Sequence, residues 1–128
     1  MAEDPGWSHQ TVLAAEPISA SVARDFVGMH LVAHGLLHLV ADVCLVVSEL
    51  ATNAVMHAHP PFILTVSWAN GSVIVALQDA TSSLPVIAAP AVTDTGGRGL
   101  LLVEGLSRDW GTEADGHGRK TVWASFSR

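Results

Sequence analysis

The spacing of apolar residues predicts two helices in the first half of the chain. Across residues 19–33 apolar positions recur three or four apart, which is the period of a helix with one buried face. Ser19 or Ser21 could cap the start of this helix, and Gly35 suits the left-handed conformation that ends many helices. The same period continues across residues 42–57. The His-Pro-Pro sequence that follows should end this second helix, because proline cannot continue one.

Two short runs of β-branched residues predict a hairpin after the second helix. Residues 62–68 and 72–79 are rich in valine, isoleucine and threonine, and Ala-Asn-Gly separates them. Such runs around an Asn-Gly pair are typical of antiparallel strands joined by a tight turn. Residues 80–97 follow neither the helical nor the strand period, so we expect a long loop of the kind that usually carries function.

The last third of the chain predicts one more helix and a second hairpin. Residues 98–107 have helical spacing, and short strands are expected at 108–111 and 120–126. Residues 1–16 have no period and are expected to form a tail or an edge strand. Helices and strands that do not alternate strictly predict an α+β fold. We expect a two-layer sandwich, with three main helices on one face of a mixed, mostly antiparallel sheet, in a single domain spanning residues 17–128.

Composition favours a soluble domain and argues against nucleic-acid binding. The chain has 128 residues, of which 49% are hydrophobic and 14% charged, enough apolar material for one core. With a net charge of -6, the chain is not expected to have the basic surface that binds a phosphate backbone. The single cysteine, Cys44, excludes an intrachain disulfide, and no leader or clear membrane span is evident. We therefore expect a cytoplasmic protein without direct nucleic-acid or membrane contacts.

Three polar residues stand in one line on the second predicted helix. Glu49, Asn53 and His57 are four residues apart, so their side chains lie on one stripe of the helix. The stripe could be no more than the solvent face of an amphipathic helix. Glutamate and asparagine oxygens are also the hard ligands or bases that a magnesium-phosphate centre requires.

Two later features point to the same chemistry. Asp79 ends a predicted strand at the start of the long loop, where an acid can hold a ligand or simply begin a turn. Gly97, Arg98 and Gly99 precede apolar residues of the third predicted helix. Backbone N–H groups at such a helix start can hold phosphate, although a glycine pair can also form an ordinary tight turn.

Two other sets of reactive residues are weaker candidates. His30, His34 and His38 are also four residues apart, but Gly35 should end the helix before His38, and no carboxylate or thiolate cluster accompanies them. A metal site is therefore not expected there. Cys44 and Ser48 lie within an apolar helix without suitably spaced partners, which favours a packing role over a nucleophilic one.

Taken together, the motifs resemble the ATP-binding domain of gyrase, Hsp90, histidine kinases and MutL, the Bergerat or histidine-kinase-like ATPase fold. The segments SELATNAVMHA, QD, GRGLLLVEGLSRDWG and GRKTVWA are most similar to anti-sigma-factor serine kinases of the RsbW and SpoIIAB type. The similarity extends from about residue 18 to residue 126. One departure is that the second motif reads Asp-Ala-Thr, with Ala80 and Thr81, where the family often has Asp-x-Gly.

The resemblance implies a role for each matching residue. Glu49 would be the general base, and Asn53 would ligate Mg²⁺ between the phosphates of ATP. Asp79 would hold the adenine amino group with help from Thr121, and residues 80–97 would form the ATP lid. The resemblance implies that four residues bind the phosphates: Gly97, Arg98, Gly99 and Leu100. His57 would lie near the nucleotide without a defined task.

The function implied is that of an ATP-dependent serine/threonine protein kinase. It would act as an anti-sigma factor, phosphorylate an anti-anti-sigma partner of the STAS type and so regulate a sigma factor. Relatives also suggest a homodimer. The alternative is a non-catalytic module that sequesters a sigma factor or another partner with little or no ATP turnover, which the altered Asp-Ala-Thr motif would favour.

Overall fold

The segments with helical and strand periods fold into a five-stranded sheet with helices on one face. The computed structural model describes residues 6–57, 61–79, 96–114 and 119–128. Its elements in chain order are β1 (Trp7–Leu13), α1 (Ile18–Ala33), a short 3-10 turn (Leu37–Leu39), α2 (Val40–His57), β2 (Phe62–Ala69), β3 (Ser72–Asp79), α3 (Gly96–Leu106), β4 (Asp109–Ala114) and β5 (Lys120–Ser127). The strand order is β1-β2-β3-β5-β4. The predicted α+β sandwich is confirmed, and every strand pair in the described part of the chain is antiparallel.

The hairpin between β2 and β3 has the turn that its sequence predicts. Asn70 and Gly71 are its two connecting residues, with φ of 55° and 79°, and Ala69 pairs with Ser72 across them. Positive φ at both central positions matches the right-handed twist of the strands, and asparagine and glycine tolerate it best. This turn fixes the register of the hairpin.

The core lies between the helices and one face of the sheet. Val73, Val75 and Leu77 alternate with less buried residues along β3, so one face of this strand is covered. Val27 of α1 and Val47 of α2 are fully buried. Burial of large apolar side chains contributes roughly 1.5–3 kcal/mol each, so this interface is the main source of the fold's stability.

The start of α1 differs from the sequence prediction. Pro17 occupies the N-cap position, and no side chain caps the helix. The Ser19 hydroxyl instead donates a hydrogen bond to the Ala14 carbonyl at 2.6 Å, which ties the helix to the segment that follows β1. The predicted serine cap is therefore wrong. At the other end Gly35 does adopt a left-handed conformation, with φ of 76°.

The apolar character of α2 reflects its central position. Leu37–Val55 has a mean hydropathy of 1.4 over a length that could cross a membrane, although no such span was expected from the sequence. The same character is found in the core helix of a soluble domain, and α2 packs against both other helices and the sheet. Its packing against these elements explains its apolar composition.

Element boundaries near the predicted lid also differ from expectation. The third helix begins at Gly96, two residues before its predicted start. Strand β4 reaches Ala114, beyond the expected 108–111. Residues 80–95 of the predicted lid lie outside the described residues. The domain boundaries and the lid therefore remain predictions.

Candidate functional site

The polar stripe on α2 lies on the flank that faces α3. An α-helix turns about 100° per residue, so Glu49 and Asn53 both lie within about 20° of Asp42 around the helix axis. Asp42 lines a small cavity together with Leu106 of α3. On the other flank, the Cys44 thiol donates to the Arg24 carbonyl of α1 at 3.5 Å. The apolar rows of α2 thus fill the core, and the stripe faces the space beside α3.

Glu49 and Asn53 are half-buried on this flank. In the described part of the chain neither side chain has a hydrogen-bond or ion-pair partner. With no partner among the described residues, this carboxylate and this carboxamide are free to contact a ligand. Both offer oxygen atoms, which are the ligands that Mg²⁺ prefers. The donor set therefore suits a magnesium ion bound to phosphates.

The ends of α2, β2 and β3 meet at one end of the sheet. Asp79, the last residue of β3, pairs with Phe62, the first residue of β2. The backbone of α2 ends at His57, and the few residues between it and Phe62 can span at most about 18 Å. The C-terminal half of the polar stripe therefore lies at the same end of the sheet as Asp79.

The direction of α3 brings its N-terminus to this end as well. Its C-terminal residue Leu106 is followed closely by Asp109, which pairs with Ser125 near the far end of β5. Eleven residues span about 16 Å in a helix, enough to return to the Asp79 end of the sheet. The predicted phosphate-binding residues 97–100 form the first turn of α3, whose free backbone N–H groups carry the positive end of the helix dipole.

The register of β5 fixes the position of Thr121 in the sheet. Thr121 pairs with Gln78, whereas the buried positions of β5 are Ala124 and Phe126. Because side chains alternate along a strand, Thr121 belongs to the face away from the helices. On β3 the buried positions are 73, 75 and 77. The contact with adenine implied for Thr121 stays a prediction.

Lys120 is the first residue of β5 and pairs with Ala114 of the edge strand β4. Its side chain is exposed. By alternation along the strand it belongs to the same set as Val122 and Ala124, which pack on the core or lie in it.

Two surface depressions lie away from Glu49 and Asn53. One, of about 600 Å³, is an open groove between α1 and α2. It is lined by Arg24, Met29 and Leu45, among others, and includes neither Glu49 nor Asn53. A second, of about 280 Å³, lies at the end of the sheet opposite Asp79. The functional site is therefore identified by its polar groups and backbone ends, and not by the size of a depression.

These features define a class of protein. Helices on one face of an antiparallel sheet, an Asn-containing helix, a strand that ends in an acid and a glycine-rich helix start together describe an ATP-binding domain. The family model of the histidine kinase-like ATPase domain matches residues 13–126. The chain belongs to this family, and an ATPase domain of this kind binds ATP.

A solved structure supports the fold. The chain is similar to the crystal structure of the RsbU and RsbW domains of Rv1364c from Mycobacterium tuberculosis, with a TM-score of 0.71 and 21% sequence identity. The match covers 98% of this chain and 33% of that one, so this chain spans about a third of its length. At this identity the likeness shows a common fold. No curated protein matches the sequence significantly.

Proposed function

We propose that this protein is an ATP-dependent serine/threonine kinase of the RsbW type, which acts in the cytoplasm as an anti-sigma factor. The observation that carries the proposal is the half-buried pair Glu49 and Asn53 on the flank of α2 beside α3, which has no hydrogen-bond or ion-pair partner among the described residues. The similarity to a structure that contains an RsbW domain supports an anti-sigma role, and the family resemblance implies a STAS-type protein as the phosphate acceptor.

In the proposed reaction, ATP supplies the phosphoryl group. Glu49 accepts the proton of the partner's serine hydroxyl while the serine oxygen bonds to the γ-phosphorus. The bond between the γ-phosphorus and the oxygen that bridges it to the β-phosphate breaks, and ADP leaves. Asn53 would ligate Mg²⁺, and the ion would supply neutralisation of the phosphate charge. Positioning and charge neutralisation provide most of the rate in reactions of this kind.

The remaining site residues would bind the nucleotide. Asp79 holds the adenine amino group, and the first turn of α3 binds the phosphates through its backbone N–H groups. Arg98 adds a fixed positive charge there. Leu100 would join the first turn of α3 around the phosphates, Thr121 would support Asp79 at the adenine, and His57 would lie near the nucleotide.

Calorimetric titration with Mg²⁺-ATP tests nucleotide binding. We expect micromolar affinity, which corresponds to about 8 kcal/mol, and a large loss in Asn53→Ala. Asp42→Asn is the matched control, because this residue lies on the same flank at the other end of α2. Absence of binding by the wild-type protein would instead favour the non-catalytic module, in agreement with its altered Asp-Ala-Thr motif.

Transfer of radiolabelled phosphate to a STAS-domain protein tests the kinase reaction. Glu49→Gln should lower the transfer rate by about 10² to 10⁴ and leave ATP affinity nearly unchanged, because a general base acts on the reaction and not on nucleotide binding. Glu104→Gln, at an exposed position of α3, should transfer normally. Equal rates in Glu49→Gln and wild type would refute the assignment of the base.

A further inference from the structure

Three histidine rings lie between the edge strand β1 and α1. In the sheet β1 has β2 as its one neighbour, and His9 is among its partly buried positions. The His9 ring stacks on His30 of α1, with centroids 3.9 Å apart and planes at 11°. The His9 Nε2 lies 2.9 Å from the Nε2 of His34. The Trp7 ring stacks on His34 at 3.8 Å, so four rings join the start of β1 to the end of α1.

The hydrogen bond between two imidazoles depends on their protonation. One ring must donate an N–H group and the other must accept it on an unprotonated nitrogen. If both His9 and His34 carried a proton on each nitrogen, no acceptor would remain, and two positive charges would lie 2.9 Å apart. Protonation of His9 and His30 together would place like charges on stacked rings. Full protonation of the three rings is therefore incompatible with the hydrogen bond between His9 and His34 and opposes the stacking of His9 on His30.

Few other charges face this cluster from the elements around it. Strand β2 has no titratable residue, and β1 contributes His9 alone. On α1, Arg24 and Asp25 act on Cys44 across the interface with α2. The Arg128 guanidinium lies over the Trp68 ring at 6.0 Å. Among the described residues we find no carboxylate in contact with the three imidazoles that would compensate their positive charge.

The remaining histidine and a metal can be set aside. His38 is exposed on the 3-10 turn, outside the ring contacts. Imidazole lone pairs lie in the ring plane, so the nearly parallel rings of His9 and His30 cannot point at one ion. Accordingly, no group of three possible ligands in the described ranges is arranged to hold a metal. Proton binding is the chemistry that this arrangement favours.

We infer that His9, His30 and His34 form a proton-sensitive clasp, which fastens the start of β1 to α1 at neutral pH and releases it in mild acid. Release would free Trp7 from its stack and expose part of the sheet edge. Burial, followed by the charges of His9 and His34, lowers the pKa of His30 below its ordinary value of 6.5. The native state therefore binds fewer protons than the unfolded state near this pH. The stabilisation is complete above pH 6.5 and is lost as the pH falls toward the lowered pKa.

The test follows Trp7 and the histidines in one titration. Protein labelled with 5-fluorotryptophan gives a fluorine signal for each tryptophan, and the Trp7→Phe variant identifies the signal of Trp7. Between pH 8 and pH 5 we expect the Trp7 signal to move with the same midpoint as the His30 ring protons, at a pH below 6.5. A Trp7 signal that stays constant while the histidines titrate would overturn the clasp.

Variants separate the clasp from general acid sensitivity. His9→Gln keeps a polar side chain but cannot gain a charge, so it should remove the pH dependence of the Trp7 signal. Between pH 7.5 and pH 5.5 the wild-type melting temperature should fall by about 3 °C more than that of His9→Gln. His38→Gln should behave as wild type. If both variants titrate alike, the proposal is wrong; if His9→Gln does not fold, the wild-type titration decides alone.

Discussion

At the scale of single residues, burial decides the chemistry of Cys44. Its side chain is 7% exposed. Burial raises the pKa of its thiol above the ordinary value of 9.0, Asp25 adds to the increase and Arg24 opposes it. Because the thiolate is the reactive form, both the raised pKa and the limited access should slow its chemistry. This agrees with the packing role expected from the sequence.

The reactivity of Cys44 can be measured without interference, since the chain has one cysteine. At pH 8 we expect iodoacetamide to modify the native protein at least about tenfold more slowly than the protein unfolded in urea. Mass spectrometry of samples quenched over time gives both rates. Similar rates in the two states would mean that Cys44 is accessible in the native protein and that α1 and α2 do not pack tightly around it.

Local residue preferences predicted some positions well and missed others. Gly35 and Gly71 were expected where positive φ is needed, and both adopt it. Ser19 was expected as a cap, but its hydroxyl bonds to Ala14, five residues earlier. A turn depends on the two or three residues within it, whereas the partner of Ser19 is set by how β1 leads into α1. Contacts of that second kind cannot be inferred from local sequence.

At the scale of elements, two glycines permit a matched test of backbone conformation. An added Cβ would meet nothing within 4 Å at Gly71 or at Gly105, so neither substitution causes a clash. Gly71 has a φ of 79°, and a left-handed conformation costs an alanine about 1–2 kcal/mol. Gly105 lies in α3, where alanine is favoured over glycine by about 1 kcal/mol.

We therefore expect opposite effects from the same chemical change. Gly71→Ala should lower the free energy of unfolding by about 1 kcal/mol, and Gly105→Ala should raise it by about 0.5–1 kcal/mol. Urea unfolding followed by circular dichroism measures both, and the dependence on urea concentration should stay the same. A destabilised Gly105→Ala would show that α3 does not continue as a regular helix through that position.

The elements themselves were largely predictable because each depends on a short period. The hairpin at 62–79 and the second helix appear close to their expected bounds. The start of α3 was less predictable, because Gly96 and Gly97 have low helix propensity and owe their helical conformation to their surroundings. The line of Glu49 and Asn53 was evident from spacing alone, but their half-buried state depends on where α3 packs.

At the scale of the whole molecule, the order of strands was the least predictable feature. Strand β5 lies between β3 and β4, so the last strand of the chain is inside the sheet and β4 is at its edge. No local pattern specifies which strands become neighbours. This order nevertheless positions the candidate site, because it brings the start of β5 beside the end of β3, where Gln78 pairs with Thr121.

Because β2 and β3 lie inside the sheet, the fold should be most sensitive to the shortening of buried side chains on these strands. Leu64 is fully buried on β2, which is paired on both sides by β1 and β3. Leu64→Ala should lower the free energy of unfolding by about 2–5 kcal/mol, because it removes buried methyl groups and leaves a cavity. Leu101→Ala is the control, since Leu101 is 72% exposed. A loss below 1 kcal/mol in Leu64→Ala, measured by urea unfolding, would contradict the described core.

Nucleotide binding should stabilise the whole domain, because a ligand that binds only the native state adds its binding free energy to that of folding. At Mg²⁺-ATP concentrations about 100 times the dissociation constant the gain is about 2.7 kcal/mol, which should raise the melting temperature by roughly 10 °C. The Asn53→Ala variant should lose most of this increase, whereas Asp42→Asn should retain it. The increase should also depend on Mg²⁺, so excess chelator with ATP should remove most of it. If ATP raised the melting temperature equally in the wild type and both variants, Asn53 would not contribute to nucleotide binding. The nucleotide would then bind away from the polar stripe of α2.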